Sequence, residues 1–302
     1  MEISILGNNS AIPSHGRNPT AQTVAIRDHL LLIDCGEGTQ MQMIKYNIKR
    51  SKISHIFISH LHGDHYFGLI GLINSFGLLG RTDTLHIYCP ELLPAIIQLQ
   101  LDASKGRMPF EIIFHTIKDS GERSVLVENK DFKVTCFPVN HRIPTHGFVI
   151  HEKRKPRQLN IEVCQQYEIP KSFYGKLQEG SNYINEEGTV IDNLILTTIG
   201  KGDKTYAFCA DTIFTKSFLK DIEGVDYMYH ESTYLDVDEK LAAQRYHSTA
   251  SQAAQIAKIG NVTHLLLGHY SSRYLDIIEF EKQAKAIFLN SYATKEGDKI
   301  EF

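Results

Sequence analysis

Short apolar runs and amphipathic stretches alternate along most of this chain, and this alternation predicts strands and helices in turn. The runs rich in β-branched and aromatic residues predict strands at 1–7, 22–35, 56–58, 84–89, 111–117, 131–139, 194–199, 206–210, 226–229 and 263–268. The amphipathic or wholly apolar stretches predict helices at 39–46, 66–79, 91–103 and directly after Thr249. We therefore expect an α/β fold with two β-sheets packed face to face and helices outside.

Local signals add detail to two of the predicted helices. Met41 and Ile44 belong to an apolar stripe of the helix at 39–46, which predicts a core-facing side. Thr249 and Gln252 have the spacing of a capping box, and Gly260 is a stop signal for the helix that they begin.

The pattern changes between residues 152 and 192. This stretch begins with a basic run, continues as a polar segment and shows little clear periodicity. About 40 weakly structured residues inside a compact domain usually indicate function or disorder. We therefore predict a single domain over residues 1–302, in which residues 152–192 are inserted as a flexible arm.

Composition restricts the class of protein. The chain has 302 residues, 42% of them hydrophobic, and contains neither a run of about 18 apolar residues nor a signal peptide, so we expect no membrane partner and a cytoplasmic location. The five cysteines are scattered without a Cys-x-x-Cys pair, so they predict core thiols rather than disulfides. The net charge of −3 means that a polyanionic partner needs a local basic patch.

The densest cluster of candidate metal ligands follows the predicted strand at 56–58. His60, His62, Asp64 and His65 offer three imidazoles and one carboxylate within six residues, a donor set that suits zinc. A histidine-rich polar loop is the alternative, but such a match arises by chance about once in 500 chains of this composition. Asp34, which ends another strand, is a plausible acceptor for one of the ligand imidazoles.

Other candidate ligands follow later strands. His141, Asp211 and His269 each come just after a predicted strand, where the sites of α/β folds collect. A lone histidine in a loop is more often a surface residue, so the spacing alone leaves both interpretations of His141 open. The polar loop at 8–20 suits either the lining of a site or a simple connection.

Together these motifs resemble the metallo-β-lactamase superfamily, which implies an αββα sandwich with two metal ions. More narrowly, they resemble the signatures of the ribonuclease Z family, the tRNA 3′-processing endonucleases. The matching segments are Asp34–Gln40, Ser59–His65, Ala210–Thr212, His230–Thr233, His247–Thr249 and Gly268–Tyr274. The resemblance covers nearly the whole chain.

The resemblance implies a metal site with two Zn²⁺ per chain. One zinc ion would bind His60, His62 and His141, and the other would bind Asp64, His65 and His269. Asp211 would bridge the two ions. The resemblance also gives Asp64 the role of proton acceptor, with a role as ligand only as the alternative.

The resemblance implies a leaving-group acid and a substrate surface as well. His247, held by Glu231, would protonate the leaving 3′ oxygen, as imidazoles can near neutral pH; a plain strand-end charge is the alternative for Glu231. Precursor tRNA would be gripped by the arm of residues 152–192, and the family's homodimer would let one subunit's arm serve the other's site. The basic residues assigned to substrate binding are Lys153, Arg154, Lys155, Arg157, Lys176 and Arg273.

Two rival functions stay open at this point. A hydrolase of the same fold could act on a small phosphodiester, thioester or lactam, and it would not require an arm or His247. A metal-stabilised RNA-binding protein without catalysis would leave Asp64 and the full ligand set without a use.

Overall fold

Two seven-stranded β-sheets form the centre of the computed structural model, which describes residues 1–105, 107–119, 121–153, 157–198 and 203–302. The first sheet consists of β1 (Glu2–Gly7), β2 (Ala21–Ile26), β3 (His29–Ile33), β4 (Ile53–Phe57), β5 (Leu85–Pro90), β6 (Ile112–Ile117) and β18 (Lys299–Glu301). Its spatial order is β18-β1-β2-β3-β4-β5-β6. The strands from β3 to β6 are parallel, and those from β18 to β3 are antiparallel.

When the strands are numbered in the order of the chain, those of the second sheet lie side by side in the order 17-16-15-14-9-8-7. It consists of β7 (Ser124–Glu128), β8 (Phe132–Pro138), β9 (His146–Glu152), β14 (Lys204–Cys209), β15 (Tyr227–Glu231), β16 (His264–Gly268) and β17 (Ser291–Ala293). The four strands from β14 to β17 are parallel, so their carboxyl ends lie at one edge.

Helices cover the outer face of each sheet. Those associated with the first sheet are α1 (Thr39–Lys45), α2 (Gly63–Tyr66), α3 (Leu69–Leu78) and α4 (Leu93–Ala103), with a 3₁₀ turn at Arg50–Lys52. Those associated with the second are α8 (Leu219–Ile222), α9 (Glu239–Arg245), α10 (Ala250–Ile259) and α11 (Ile278–Lys285), with a 3₁₀ turn at Asp236–Asp238. None of the helices in the described part of the chain is long and apolar enough to span a membrane.

The alternation of side chains along the strands creates three core layers. In β4, Ile56 packs with the helices while the next residue, Phe57, packs between the two sheets, because successive strand side chains point to opposite faces. On the far side, α10 presents Ala253 and Ala257 to the second sheet, and such small side chains allow close packing. The resulting αββα sandwich is the architecture that the sequence predicts, and the five cysteines are buried and free, as expected.

Residues 152–204 form a second compact unit, separate from the unit of residues 1–151 and 205–302. It contains β10 (Gln158–Leu159), α5 (Ile161–Gln166), a 3₁₀ turn at Lys171–Phe173, α6 (Tyr174–Gln178), β11 (Tyr183–Ile184), β12 (Val190–Ile191), α7 (Asn193–Leu196) and β13 (Thr197–Thr198). A small apolar core includes Cys164, Leu177 and Leu196. This segment therefore has more regular structure than its weak periodicity indicates.

The structure corrects two predictions about individual elements. The strand predicted at 194–199 is instead α7 followed by two residues of β13, with residue 199 outside the described residues. The helix forms here because the Asp192 carboxylate caps it by accepting from the amide of Leu194. Met41 and Ile44 are 70% and 59% exposed, so α1 packs on the core through Met43 rather than through these two residues. The capping box of Thr249 and Gln252 and the helix end at Gly260 are confirmed.

Candidate metal and catalytic site

The strand ends of the two sheets bring the predicted site residues together. Asp34 follows β3, and His60 lies three residues beyond β4 in the same sheet. In the second sheet, Asp211 follows β14, Glu231 ends β15, and His269 follows β16. Because the strands within each of these groups are parallel, their carboxyl ends meet at one edge.

The turn after β4 holds its ligands in a compact form because Gly63 lacks a side chain. A Cβ atom on Gly63 would lie 2.2 Å from Cε2 of Phe67, so a larger residue would displace that ring. Gly63 begins α2, whose single turn carries Asp64 and His65. His62 precedes the helix in an extended conformation.

One group of candidate ligands consists of His60, His62, His141 and Asp211, which each contribute one ligand atom within 4.8 Å of the others. Nδ1 of His62 lies 3.1 Å from Nε2 of His60 and 3.2 Å from Nε2 of His141. Oδ2 of Asp211 lies 3.6 Å from Nε2 of His60 and 3.9 Å from Nε2 of His141. His141 therefore belongs to the cluster, and the isolated surface position is excluded.

A second group consists of Asp64, His65 and His269. Oδ2 of Asp64 lies 3.5 Å from Nε2 of His65 and 3.3 Å from Nε2 of His269. Asp211 reaches this group too, because its Oδ1 lies 3.2 Å from His269 Nε2 and its Oδ2 lies 3.5 Å from His65 Nε2. Asp211 thus lies between the two groups, where a bridging ligand would be.

The buried carboxylate of Asp34 orients two of these imidazoles. Its Oδ2 accepts from His65 Nδ1 at 2.7 Å and from the Ser59 hydroxyl at 2.9 Å. Since that hydroxyl donates its hydrogen to Asp34, it can accept from His60 Nδ1 at 3.0 Å. Both rings then have a free Nε2 lone pair directed at the site, which is the tautomer that metal binding requires.

Hydrogen bonds from Nδ1 also orient the candidate ligands that follow strands of the second sheet. His141 donates from Nδ1 to the carbonyl of Tyr246 at 2.9 Å, and Tyr246 has the left-handed φ of 59° at the end of α9. The Thr233 hydroxyl donates to Glu231 at 2.8 Å and can therefore accept from His269 Nδ1 at 2.9 Å. Nε2 of His141 and of His269 is left with a lone pair for a metal ion.

Two buried atoms support the presence of a bound cation. His65 Nε2 and Asp211 Oδ1 are shielded from solvent without a hydrogen-bond partner. Three imidazole lone pairs at 3.1–3.2 Å from one to the next repel each other unless a cation lies among them. A tetrahedral site with metal–nitrogen bonds of about 2.0–2.1 Å separates its ligand atoms by about 3.3–3.4 Å, which the observed spacing approaches. The residues therefore fit a divalent metal.

The electrostatics of the site also favour a cation. Burial lowers the pKa of His60 well below its ordinary value, and His65 adds to the effect. Burial and the adjacent His141 lower the pKa of His62 to about 4, so this ring is neutral at physiological pH. Burial opposes the ionisation of Asp211, but positive charge on the neighbouring His269 and His65 outweighs it and holds the pKa of that carboxyl well below its usual range. The carboxylates of Asp211, Asp64 and Asp34 outweigh burial in turn and raise the pKa of His65 well above its ordinary value, so a metal ion competes with a proton for this ring. Neutral imidazoles and ionised carboxylates are the forms that bind metals.

Glu231 and His247 form a buried pair beside the candidate metal ligands. Oε1 of Glu231 accepts from His247 Nδ1 at 3.0 Å and from the amides of Thr212 and Ser248. Its Oε2 accepts from the amide and hydroxyl of Thr233. Burial lowers the pKa of His247, but the charge of Glu231 and its hydrogen bond raise it above the ordinary value. This arrangement favours an imidazolium whose Nε2 proton is available to the site.

His247 also admits a different interpretation. One of its ring nitrogens lies within 4.8 Å of ligand atoms of Asp211 and His269, so these three residues form a further group that could hold a metal ion. A carboxylate on Nδ1 is compatible with either role, since Asp34 holds the candidate ligand His65 in the same way, and measurement of the metal content distinguishes the two roles.

A cavity of about 430 Å³ opens beside these groups. It is lined by Ser10, Ala11, Ile12, Pro13, Pro19, Glu37, His62, Gly63, Asp64, Phe67, Arg142, Asp211 and His247. The loop at 8–20 therefore lines the site, as one of its two interpretations predicts. The amide of Ala11 donates to Oδ2 of Asp64 at 2.7 Å, and Arg17 anchors the loop to the carbonyls of Tyr274 and Leu275.

The residues predicted to bind substrate differ from one another in their exposure and contacts. Arg273 is about half exposed and pairs with Asp238 at 3.3 Å. In the unit of residues 152–204, Arg157 donates from Nε to Thr197 at 2.6 Å, which ties it to the fold of that unit, and Lys176 lies over the ring of Phe173. Lys153 is described but Arg154 and Lys155 lie outside the described residues.

Sequence reasoning missed several residues that the structure places at the site. Ser59 and Thr233 act through hydrogen bonds to ligands, and their positions inside the segments Ser59–His65 and His230–Thr233 were the available signal. Ala11 acts through its backbone amide, so its side chain offers no signal. Phe67 and Arg142 line the cavity and lie within two residues of predicted ligands in the sequence, but they carry no metal-binding group.

Comparisons with known proteins give the family. A family model described as anti-Pycsar protein Apyc1 matches residues 1–155, which is just over half of the chain, so the chain belongs to that family. A protein named ribonuclease Z from Bacteroides fragilis is 42% identical over 296 residues, which cover 98% of this chain and 97% of that protein. The chain belongs to the ribonuclease Z family.

Solved structures agree on the fold of this ribonuclease Z family member. The crystal structure of human tRNase Z, short form, has a TM-score of 0.73 at 24% identity and covers 100% of this chain and 99% of that one. The metallo-β-lactamase fold protein YhfI from Bacillus subtilis has a TM-score of 0.69 at 18% identity, covering 99% and 98% of the two chains. The αββα sandwich is therefore a metallo-β-lactamase fold, and a ribonuclease Z of this fold binds divalent metal.

We expect the Asp34→Asn variant to lose metal affinity about 10- to 100-fold, because both carboxylate oxygens of Asp34 accept hydrogen bonds and an amide keeps only one acceptor oxygen. In either orientation, its NH2 group would face a donor, the amide of Ser59 at one position or Nδ1 of His65 at the other. Competition with a chromophoric chelator measures the affinity, and circular dichroism shows whether the fold is retained. Asp28→Asn, in the exposed turn between β2 and β3, is the matched control. An unchanged affinity would show that Asp34 serves the fold alone.

Proposed function

We propose that this ribonuclease Z family member cleaves precursor tRNAs endonucleolytically and removes the 3′ trailer. The products are a 3′-hydroxyl on the tRNA and a 5′-phosphate on the trailer. The observation that carries the proposal is the buried pair of Glu231 and His247 directly beside the clustered metal ligands. The similarity to proteins named ribonuclease Z over 98% of the chain supports it.

The proposed cofactor is a pair of zinc ions. His60, His62 and His141 would hold one ion, Asp64, His65 and His269 the other, and Asp211 would bridge them. All donor atoms are imidazole nitrogens or carboxylate oxygens, which suit zinc. When bound, such ions supply Lewis acidity, since they lower the pKa of water and offset the charge that develops on phosphoryl oxygens.

Asp64 is the proposed proton acceptor for the attacking water. Its Oδ2 accepts a hydrogen bond from the amide of Ala11 and lies near His65 and His269, the residues that would hold the same metal ion. The other carboxylate oxygen can then orient the water and take its proton as the water oxygen bonds to phosphorus. The P–O3′ bond breaks in the same displacement, and the electrons leave with the 3′ oxygen.

His247 is the proposed proton donor to that 3′ oxygen. Its Nδ1 is bound to Glu231, so a protonated Nε2 is the group that can donate. After donation, the ring is neutral and regains its proton from solvent. Glu231 is thus a positioning residue that holds the ring and favours its charged form.

The unit of residues 152–204 is the proposed tRNA-binding arm. It includes Lys153, Arg157, Lys171 and Lys176, and the predicted contacts Arg154 and Lys155 belong to the same stretch of sequence. A body with a net charge of −3 needs such a local patch to bind a polyanion. Arg273, which follows the ligand His269 in the chain, is proposed to contact the substrate near the metal site.

The proposed assembly is a homodimer in which one subunit's arm serves the other's site. Met41 and Ile44 on α1 and Leu78 on α3 are exposed apolar side chains, which supports burial against a second copy. The two helices are neighbours, because a Cβ on Gly71 of α3 would lie 3.0 Å from Gln40 Nε2 on α1. A cytoplasmic location stays a prediction from the sequence.

A 3′-extended tRNA transcript tests the proposed reaction and its metal. We expect cleavage at the tRNA 3′ end by protein that holds about two zinc ions per chain, and loss of cleavage with a chelator, since the ligand atoms exceed what one tetrahedral site uses. Elemental analysis and product mapping measure these outcomes. Hydrolysis of small phosphodiesters without tRNA cleavage would favour the rival hydrolase, and RNA binding without cleavage the non-catalytic rival.

Two substitutions separate the proposed chemical roles. Asp64→Ala should abolish cleavage, because the site loses a ligand and its proton acceptor together. His247→Ala should slow cleavage by roughly 100-fold or more while the zinc content stays at the wild-type value, because a general acid contributes about 10²- to 10⁴-fold. Loss of zinc from the His247 variant would assign this residue to the metal, and an unchanged rate would remove it from the mechanism.

Mixing two defective subunits tests the arm and the dimer together. One variant carries Asp64→Ala with an intact arm, and the other lacks residues 153–203, a deletion that a short Gly/Ser linker can close because β9 and β14 are neighbours in the second sheet. We expect each alone to fail on pre-tRNA and the mixture to regain cleavage. The deleted variant should still hydrolyse bis(p-nitrophenyl) phosphate, which reaches the site without an arm.

The outcomes of the mixing experiment separate the alternatives. Loss of small-ester hydrolysis in the deleted variant would show that residues 153–203 support the fold of the main unit. Normal pre-tRNA cleavage by that variant would show that the segment is a passive insertion, and a mixture without activity would place arm and site in one subunit.

A further inference from the structure

An exposed aromatic side chain stands at the wall of the catalytic cavity. Phe67 is 62% exposed, and Ile12 on the opposite loop is 55% exposed. Both line the same cavity as Asp64 and His247, and Pro13 extends the apolar part of the wall. Exposed apolar surface of this kind beside a reaction site usually marks a place where an apolar part of a ligand binds.

The ring of Phe67 is held in place although most of it faces solvent. Three of its ring carbons lie close to Gly63, where an added Cβ atom would come within 2.2–2.7 Å of them. Tyr66 supports it in an edge-to-face contact with 5.0 Å between the ring centroids. The amide of Phe67 donates to the carbonyl of Gly63 at 2.9 Å, which fixes the backbone. The ring therefore offers a pre-oriented apolar surface.

The position of Phe67 relative to the reacting phosphate follows from the helical turn. Asp64 and Phe67 are three residues apart, and both have helical backbone geometry, so their Cβ atoms are about 5–6 Å apart on one side of the turn. A phosphodiester that reacts beside Asp64 carries a nucleoside on either side. A base that is not paired in a helix can turn towards the ring of Phe67.

We propose that Phe67, together with Ile12 and Pro13, is a stacking platform for the unpaired nucleobase next to the scissile phosphate. This inference rests on the proposed function as a nuclease for 3′-extended tRNA. Single-stranded RNA is commonly bound by stacking of its bases on aromatic side chains. Stacking tolerates any base, since each has a π-face, so the platform accepts substrates that differ in the base at this position.

The test is a comparison of kcat/KM between variants and matched substrates. Phe67→Ala should lower kcat/KM for 3′-extended tRNA by roughly 5- to 100-fold, as expected for the loss of one stacked base, and Phe67→Trp should retain it. Two further substrates each carry an abasic nucleotide, one directly 5′ and one directly 3′ of the cleaved bond. On the substrate that lacks the stacked base, wild type and Phe67→Ala should cleave at similar rates.

The controls distinguish the platform from other roles of Phe67. Leu99→Ala removes a side chain that is 71% exposed on α4, outside the cavity, and should leave kcat/KM unchanged. A Phe67→Ala penalty that is equal on all three substrates would overturn the platform, and an accompanying change of mass in light scattering would assign Phe67 to a subunit contact. Failure of the wild type to cleave 3′-extended tRNA would instead overturn the proposed function, and this inference with it.

Discussion

A buried cluster of lone pairs and carboxylate charge is the constraint on which the rest of the site depends. Imidazole nitrogens of His60, His62 and His141 face each other at 3.1–3.2 Å from one to the next, and the buried Asp211 carboxylate lies beside them. A bound cation stabilises such a cluster, since burial of uncompensated negative charge is costly. Metal binding and the native arrangement of the strand ends are therefore thermodynamically linked.

This constraint also explains why the two sheets meet at this edge. His60 and His65 come from the first sheet, whereas Asp211 and His269 come from the second, and Asp211 contacts donors of both. The apolar layer between the sheets, which includes Phe57 and several aromatic residues of the second sheet, keeps the two edges in register. Packing supplies the geometry and the metal supplies the compensating charge.

The sequence predicted the sandwich and the clustered ligands because both depend on local patterns. Apolar strands that end in His or Asp can be recognised in the sequence. The carboxyl ends of parallel strands meet at one edge of a sheet, regardless of the conformation of the loops between them. It did not predict the amide of Ala11 or the hydroxyl of Thr233 as partners of ligands, since these contacts depend on how distant loops fold. The outward position of Met41 was missed because amphipathic periodicity identifies an apolar side without identifying what covers it.

The hydrogen bonds around Thr233 connect the metal site to the proposed acid. Its hydroxyl lies 2.9 Å from Nδ1 of His269 and 3.2 Å from Nδ1 of His247, and it donates to Glu231, which also holds His247. A change in any member alters the partners of the others, so the effects of substitutions here should be non-additive, as in other coupled networks. The orientation of the candidate ligand His269 and the protonation of the proposed acid His247 are thus set by one shared network rather than by two independent sites.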